Sequence, residues 1–299
     1  MTTAVLSTNT KMAELLSTLA VKEGYSDSCL EAVRFMRANS AIPRGPVIYD
    51  PCIVIVAQGQ KRGFVGDQSF IYDANNYLVL SVPLPFECET QASPSSPMLA
   101  IKIRVEPTVI AELLLELDDT KPASGNVLSG VAATPLTQEL LDATTRLLEC
   151  LSSPTEARIL GPQIIREITF RVLRGEKADA LKSLVTRRSK FAQIAKTLRR
   201  IHSDFNDKLD VESLAEEADM SVSAFHHNFK IVTSTAPLQY IKSVRLHKAR
   251  MLMVYEGLNA NAAAGRVGYE SASQFSREFK RMFGNAPAEE AARLKARLA

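Results

Sequence analysis

Histidine is missing from the first two-thirds of this 299-residue chain: all four, His202, His226, His227 and His247, lie beyond residue 200. The earlier residues therefore lack the commonest metal ligand and proton-transfer group. Cysteine is scarce too, and Cys29, Cys52, Cys88 and Cys150 form no C-x-x-C pair. They read as reduced, mostly buried thiols of a cytoplasmic protein rather than a disulfide framework. The longest apolar runs, Cys52 to Ala57 and Tyr77 to Leu80, fall far short of the roughly 20 residues that cross a bilayer. No charged segment followed by an apolar one opens the chain at Met1 to Thr10, so secretion is not expected. Glycine-rich phosphate loops and serine-centred nucleophile elbows are absent.

What is present is ordinary globular composition, 46% hydrophobic and 23% charged, in enough chain for two domains. Charge is unevenly placed. Residues 190–299 carry 17 Lys and Arg against 12 Asp and Glu, a net of +5, whereas residues 1–189 carry 19 against 21, a net of −2. The basic half is the one expected to meet a polyanion.

That half contains a repeat. Met220-Ser221-Val222-Ser223-Ala224-Phe225-His226-His227-Asn228-Phe229-Lys230, closing on Ala236-Pro237, returns as Glu270-Ser271-Ala272-Ser273-Gln274-Phe275-Ser276-Arg277-Glu278-Phe279-Lys280, closing on Ala286-Pro287. Each copy reads as a helix-turn-helix. A first helix carries Leu214-Ala215 or Ala263-Ala264. Ser221 or Ser271 then caps a second helix, whose two phenylalanines at i and i+4 bury one face. The opposite face is free to enter a major groove. It offers Ser223, His226 and His227, with Asn228 at its edge, in the first copy, and Ser273, Gln274, Ser276 and Arg277 in the second. Arg suits guanine and Gln suits adenine, while Lys230 and Lys280 at the helix ends suit phosphate. Between the copies, Pro237 to Tyr255 reads as one helix of about 28 Å. Recognition helices held on such a rod can enter successive grooves of one duplex.

Ahead of the repeat the period changes twice. Residues 1–45 read as a helix pair, with Leu15, Leu16, Leu19 and Ala20 on one and Leu30, Val33, Arg34 and Met36 on the other. From Pro46 short β-rich runs follow: 47–49, 52–57, 70–72, 77–80 and 99–105, bounded by turns and consistent with a small barrel or sandwich. Helical stripes then return over Val109 to Leu117, Leu136 to Leu151 and Ile164 to Leu173. They pack on the barrel, or serve also as a dimer seam. Residues 175–190, with Lys177, Lys182, Arg187, Arg188 and Lys190, read as a solvated tether.

The segment from Phe191 to Arg293 resembles the DNA-binding domain of the AraC/XylS family of bacterial transcription regulators. Ser-x-Ser-x-Phe-x-x-x-Phe-Lys occurs twice, with Pro237 to Tyr240 as Pro-x-x-Tyr, Arg245 and Ala249 in the linker, and Val267-Gly268-Tyr269 before the second recognition helix. Residues 46–105, with Pro51 to Arg62 and Ala92-Ser93-Pro94, resemble the cupin-like N-terminal domain of one subgroup. The resemblance implies an α+β, two-domain chain: a cupin-like β-barrel with packed helices over residues 1–186, and an all-α domain of two helix-turn-helix units and a linker helix over residues 187–299. It places the family's base-reading residues on the same two faces. It also implies contact with RNA polymerase at a promoter, favouring activation, with a small-molecule effector and a homodimer as further expected partners. The chain departs from the family in three places: Thr235 stands where a Gly usually precedes the linker, Ala260 and Ala263 stand where bulkier aliphatic residues are usual, and Glu290-Ala291 stands where Tyr-Arg is usual. Less apolar burial, at about 0.8 kcal/mol per methylene, is expected to leave the second unit less stable.

Cys52, Cys88, Glu87 and Glu89 fit no recognised metal spacing, and no metal or cofactor is expected. Lys61 and Arg62, beside Gly59 and Gly63 at an expected hairpin, either clamp an acidic effector at the barrel mouth or form a solvated turn. The alternative function is a DNA-binding protein with an enzymatic cupin or alkyl-transfer domain. Missing barrel histidines argue against the first and the isolated cysteines against the second, so no enzyme is expected.

Overall fold

The computed structural model describes residues 3–117, 129–175, 178–185 and 189–298. Helix α1 (Thr3–Leu19) precedes nine strands: β1 (Gly24–Asp27), β2 (Val33–Ala38), β3 (Ile42–Tyr49), β4 (Cys52–Gln58), β5 (Gln60–Val65), β6 (Gln68–Asp73), β7 (Asn76–Leu80), β8 (Leu84–Gln91) and β9 (Met98–Arg104). Then come α2 (Pro107–Glu116), β10 (Val131–Pro135), α3 (Gln138–Cys150), α4 (Pro154–Leu173) and α5 (Asp179–Val185). The strands form one antiparallel sheet in the order β1-β2-β9-β4-β7-β6-β5-β8-β3, with β10 also paired to β7. It curls into a half-barrel, the form in which the expected cupin-like barrel is present.

Both faces of the central strands are covered, which is why Cys52 to Ala57 is continuously apolar. Ile53 and Ile55 join Val79, Ile101 and Ile103 under α1, α3 and α4. Cys52, Val54 and Val56 turn to the concave face with Tyr49, Tyr72, Leu78 and Phe86. Two helices above the sheet begin at side-chain caps: Thr137 accepts from the Leu140 amide and Ser153 from the Glu156 amide.

Two expectations are corrected. The second lead-in helix is instead β1 and β2. In β2, Val33 and Phe35 face the helices while Met36 and Ala38 face the concave side, and the strand is locked in register by Val33↔Ile103 and Phe35↔Ile101. Apolar residues on both faces of a buried strand imitate helical spacing. The 175–190 tether is interrupted by α5, whose Leu181 is fully buried in the helix-side core. Lys182 lies on α5 and Lys190 opens the next helix, while Lys177, Arg187 and Arg188 lie outside the described residues.

The remaining helices are α6 (Lys190–Ser203), α7 (Val211–Glu217), α8 (Val222–Thr233), α9 (Pro237–Tyr255), α10 (Ala260–Arg266), α11 (Ala272–Phe283) and α12 (Pro287–Leu298). They build two cores on opposite stretches of α9. Tyr240, Ile241 and Val244 pack with α6, α7 and α8, whereas Leu246, Ala249 and Met253 pack with α10, α11 and α12. Among the described residues no helix is long and apolar enough to cross a membrane.

Candidate nucleic-acid interface

Both recognition helices are set by the same local chemistry. Ser221 Oγ accepts from the Ala224 amide at 3.3 Å, and Ser271 Oγ accepts from the Gln274 amide at 3.2 Å. Each fills one donor left open at a helix start. Phe225 and Phe229 are fully buried with ring centroids 5.4 Å apart, and Phe275 and Phe279 repeat the arrangement at 5.4 Å. The buried rings fix which side of each helix remains outside.

On α8 that outer side exposes Ser223, His226, His227 and Lys230. On α11 it exposes Ser273, Gln274, Arg277 and Lys280, with Ser276 half-buried at its margin. Asn228 is a correction. It is 3% exposed, and its Nδ2 donates back to Ala224 O at 2.8 Å. Lying three residues after Phe225 and next to Phe229, it falls on the packed side of the helix, so it serves the fold and not a groove.

The sequence marks Arg245 as a linker residue but does not show that it joins the units. Arg245, midway along α9, donates from Nε to Phe205 O at 2.7 Å, from Nη2 to Asp207 O at 2.7 Å and from Nη1 to Gly268 O at 3.2 Å. One guanidinium thus ties the segment after α6 to the turn between α10 and α11. Gly268 makes that approach feasible: its φ is +79°, and an added Cβ would lie 2.5 Å from Asn206 O. Lys242 Nζ reaches Glu278 Oε1 at 2.9 Å. The available signal was a charged residue on the otherwise apolar side of a helix, which periodicity alone does not interpret.

The N-terminal half touches this assembly directly. Val82 lies in the core of the first unit. The Gly130 amide donates to Val232 O at 3.0 Å, and Tyr240 donates its hydroxyl proton to Pro83 O at 2.6 Å. With that proton committed, His202 Nε2 at 2.9 Å is left to donate to the Tyr240 oxygen. Burial pushes the His202 imidazole down to about 4, with the Asp50 carboxylate opposing and Lys248 reinforcing the shift.

Lys61 and Arg62 do not form a clamp. They lie within β5, paired to β8, rather than in a hairpin turn, and successive strand residues point to opposite faces. Lys61 turns inward, 6% exposed, with Nζ 2.9 Å from Thr90 Oγ1; burial pushes its ammonium down, opposed by Cys88. Arg62 turns outward toward Glu89, 3.7 Å away.

The chain is similar to known proteins in both sequence and fold. Residues 29–180 match the family of AraC-type transcriptional regulator N-termini, and residues 214–293 match a helix-turn-helix domain family. The HTH-type transcriptional regulator AlkR of Acinetobacter baylyi is 36% identical over 95 residues, 32% of this chain and 31% of AlkR. The HTH-type transcriptional activator RhaS of Escherichia coli is 24% identical over 145 residues, 42% of this chain and 52% of RhaS. The chain thus spans about half the length, or less, of these curated relatives. In fold it is similar to the crystal structure of unsaturated fatty acid bound ToxT from Vibrio cholerae, with TM-score 0.59 and 14% identity over 87% of this chain and 94% of ToxT. With the N-terminal match covering half of its length and a helix-turn-helix match following, the chain belongs to the family of AraC-type transcriptional regulators.

Proposed function

We propose that the protein is a sequence-specific DNA-binding regulator of transcription, acting in the cytoplasm, that lays α8 and α11 into successive major grooves of one duplex. Ser223, His226 and His227 read bases in one groove, and Ser273, Gln274, Ser276 and Arg277 in the next; Lys230 and Lys280 contact phosphate. The observation that carries this reading is the pair of exposed polar faces at matching positions, both fixed to one linker helix and tied by Arg245. The operator is then an asymmetric site of two unlike blocks. Output is activation through contact with RNA polymerase, as the name of RhaS suggests by relationship, with no enzymatic step.

The half-barrel is the effector and dimerisation part. Lys61 supports an anionic effector: its buried ammonium bonds Thr90 Oγ1, and among the described residues no carboxylate pairs with it. A carboxylate ligand reaching the concave face supplies the missing countercharge. The fatty acid held by the fold relative ToxT belongs to that chemical class.

Selection of bound duplexes from a random pool, followed by fluorescence titration at physiological salt, tests the reading. One enriched sequence bound at least about a thousandfold more tightly than random DNA is expected. Equal affinity for all duplexes would overturn it, because phosphate contacts alone are blind to sequence.

A further inference from the structure

Glu278 and Asn228 occupy matching positions of the repeat, fifty residues apart, yet they are used differently. Asn228 closes on its own helix through Ala224 O. Glu278 gathers three donors from three elements: Lys242 Nζ of α9 at 2.9 Å, the Tyr269 hydroxyl from the turn before α11 at 2.8 Å, and Gln274 Nε2 of α11 at 3.2 Å. Its side chain is 12% exposed. Burial works against its charge, but Lys242, Tyr269 and Gln274 together hold the carboxyl below its usual range.

Gln274 is the exposed member of this network. A free glutamine amide turns either end outward, whereas a carboxylate accepts only, so Glu278 requires the nitrogen end of Gln274 to face it. The Gln274 carbonyl oxygen and second N–H are then displayed together. A glutamine reads adenine with that acceptor and donor side by side, on N6 and N7. In the first unit the matching residue is Ala224, which has nothing to orient.

We infer that Glu278, held by Lys242 and Tyr269, is a positioning residue that fixes the Gln274 amide and so sets the base preference of the second unit. The inference rests on the proposed base-reading role of Gln274. Lys242 gives the device a further property: it anchors the Gln274 orientation to the linker helix, so the second unit reads bases only in the pose that α9 imposes.

The test is duplex selection and titration with the full chain, comparing wild type, Gln274→Ala, Glu278→Gln, Tyr269→Phe and the Gln274→Ala/Glu278→Gln double variant, with thermal melting recorded for each. Gln274→Ala is expected to erase preference at one or two adjacent base pairs. Glu278→Gln lowers preference at those same pairs by about tenfold, leaves the other pairs unchanged, does not reduce affinity for random duplex, and adds nothing in the double variant. Tyr269→Phe, which keeps the ring packed 5.4 Å from Phe275, gives a smaller loss at the same pairs and keeps the test open if Glu278→Gln melts early. Unchanged preference at the Gln274 pairs in both Glu278→Gln and Tyr269→Phe would overturn the positioning role, as would an equal weakening at every base pair. If Gln274→Ala leaves all preferences intact, the base-reading assignment fails, and the inference with it; that arm separates the two failures.

Discussion

The first helix-turn-helix unit is built into the N-terminal half, whereas the second is carried by the linker helix. Val82, Pro83 and Gly130 come from the sheet side, and all three engage α8 or α9 around the first core. The second unit's clearest tie to the sheet is Arg250 Nη2 to Pro46 O at 3.4 Å, from a guanidinium stacked on Phe283 and facing Glu290. Its other ties, Arg245 and Lys242, run to α9. A change in the half-barrel therefore reaches the first unit through Val82, Pro83 and Gly130, and reaches the second through β3, which packs against both α9 and α11.

The largest expected effect breaks the second side of this comparison. Gly268→Ala forces a side chain onto a positive-φ residue and into Asn206 O, at a cost of about 3 kcal/mol. Chemical denaturation should show the loss, and specific DNA affinity should fall with it because the Arg245 tie is displaced.

Acid acts on both sides, through His202 beside the first core and His247 against Phe283 of the second. His202 titrates near its ordinary 6.5 when unfolded and near about 4 when folded. Between those values the unfolded chain binds the extra proton, so stability falls as pH drops from about 6.5 toward 4. At pH 5 the loss is about 1 to 2 kcal/mol relative to pH 7, and His247, pushed well below its ordinary value by burial and Arg250, acts with the same sign. Melting between pH 7 and 5 measures it; a flat profile would place both imidazoles in water.

Next is Tyr240→Phe, which removes the hydroxyl between His202 and Pro83 but keeps the ring against Phe229. It should cost about 1 kcal/mol and raise protease sensitivity around residues 81–84 without altering α11. The smallest effect compares the two helix ends. Ser234 terminates α8 at φ 56° where Gly284 terminates α11 at φ 83°, so Ser234→Gly should stabilise by up to about 1 kcal/mol, read as a raised melting temperature.

The repeat was legible in the sequence because its signals are local. A cap, two phenylalanines one turn apart and a lysine at the helix end specify a helix and its buried side. Asn228 was misjudged because a polar residue beside Phe229 can bond its own helix, and spacing does not distinguish that from an exposed edge. The strands over residues 24–38 imitate a helix because β2 pairs with β9, from Val33↔Ile103 to Ala38↔Met98, and β1 with β2, and that distant pairing overrides local periodicity. Lys61 and Arg62 were placed in a turn, but pairing with β8 extends the strand through them. The two cores also differ in a way that local spacing does not show: Phe283 stands where the first unit has Thr233, packing 4.5 Å from Phe279 and 5.3 Å from His247.

The most direct measurement of the central claim is base preference, determined by duplex selection and titration across salt, for His227→Ala, Arg277→Ala and Lys230→Ala. The first two should each relax discrimination by about 1 to 3 kcal/mol, at separate base pairs roughly one helical turn apart. Lys230→Ala should weaken all duplexes alike and lower the salt slope by about one. Equal, sequence-independent losses from all three would contradict the assignment of two base-reading faces.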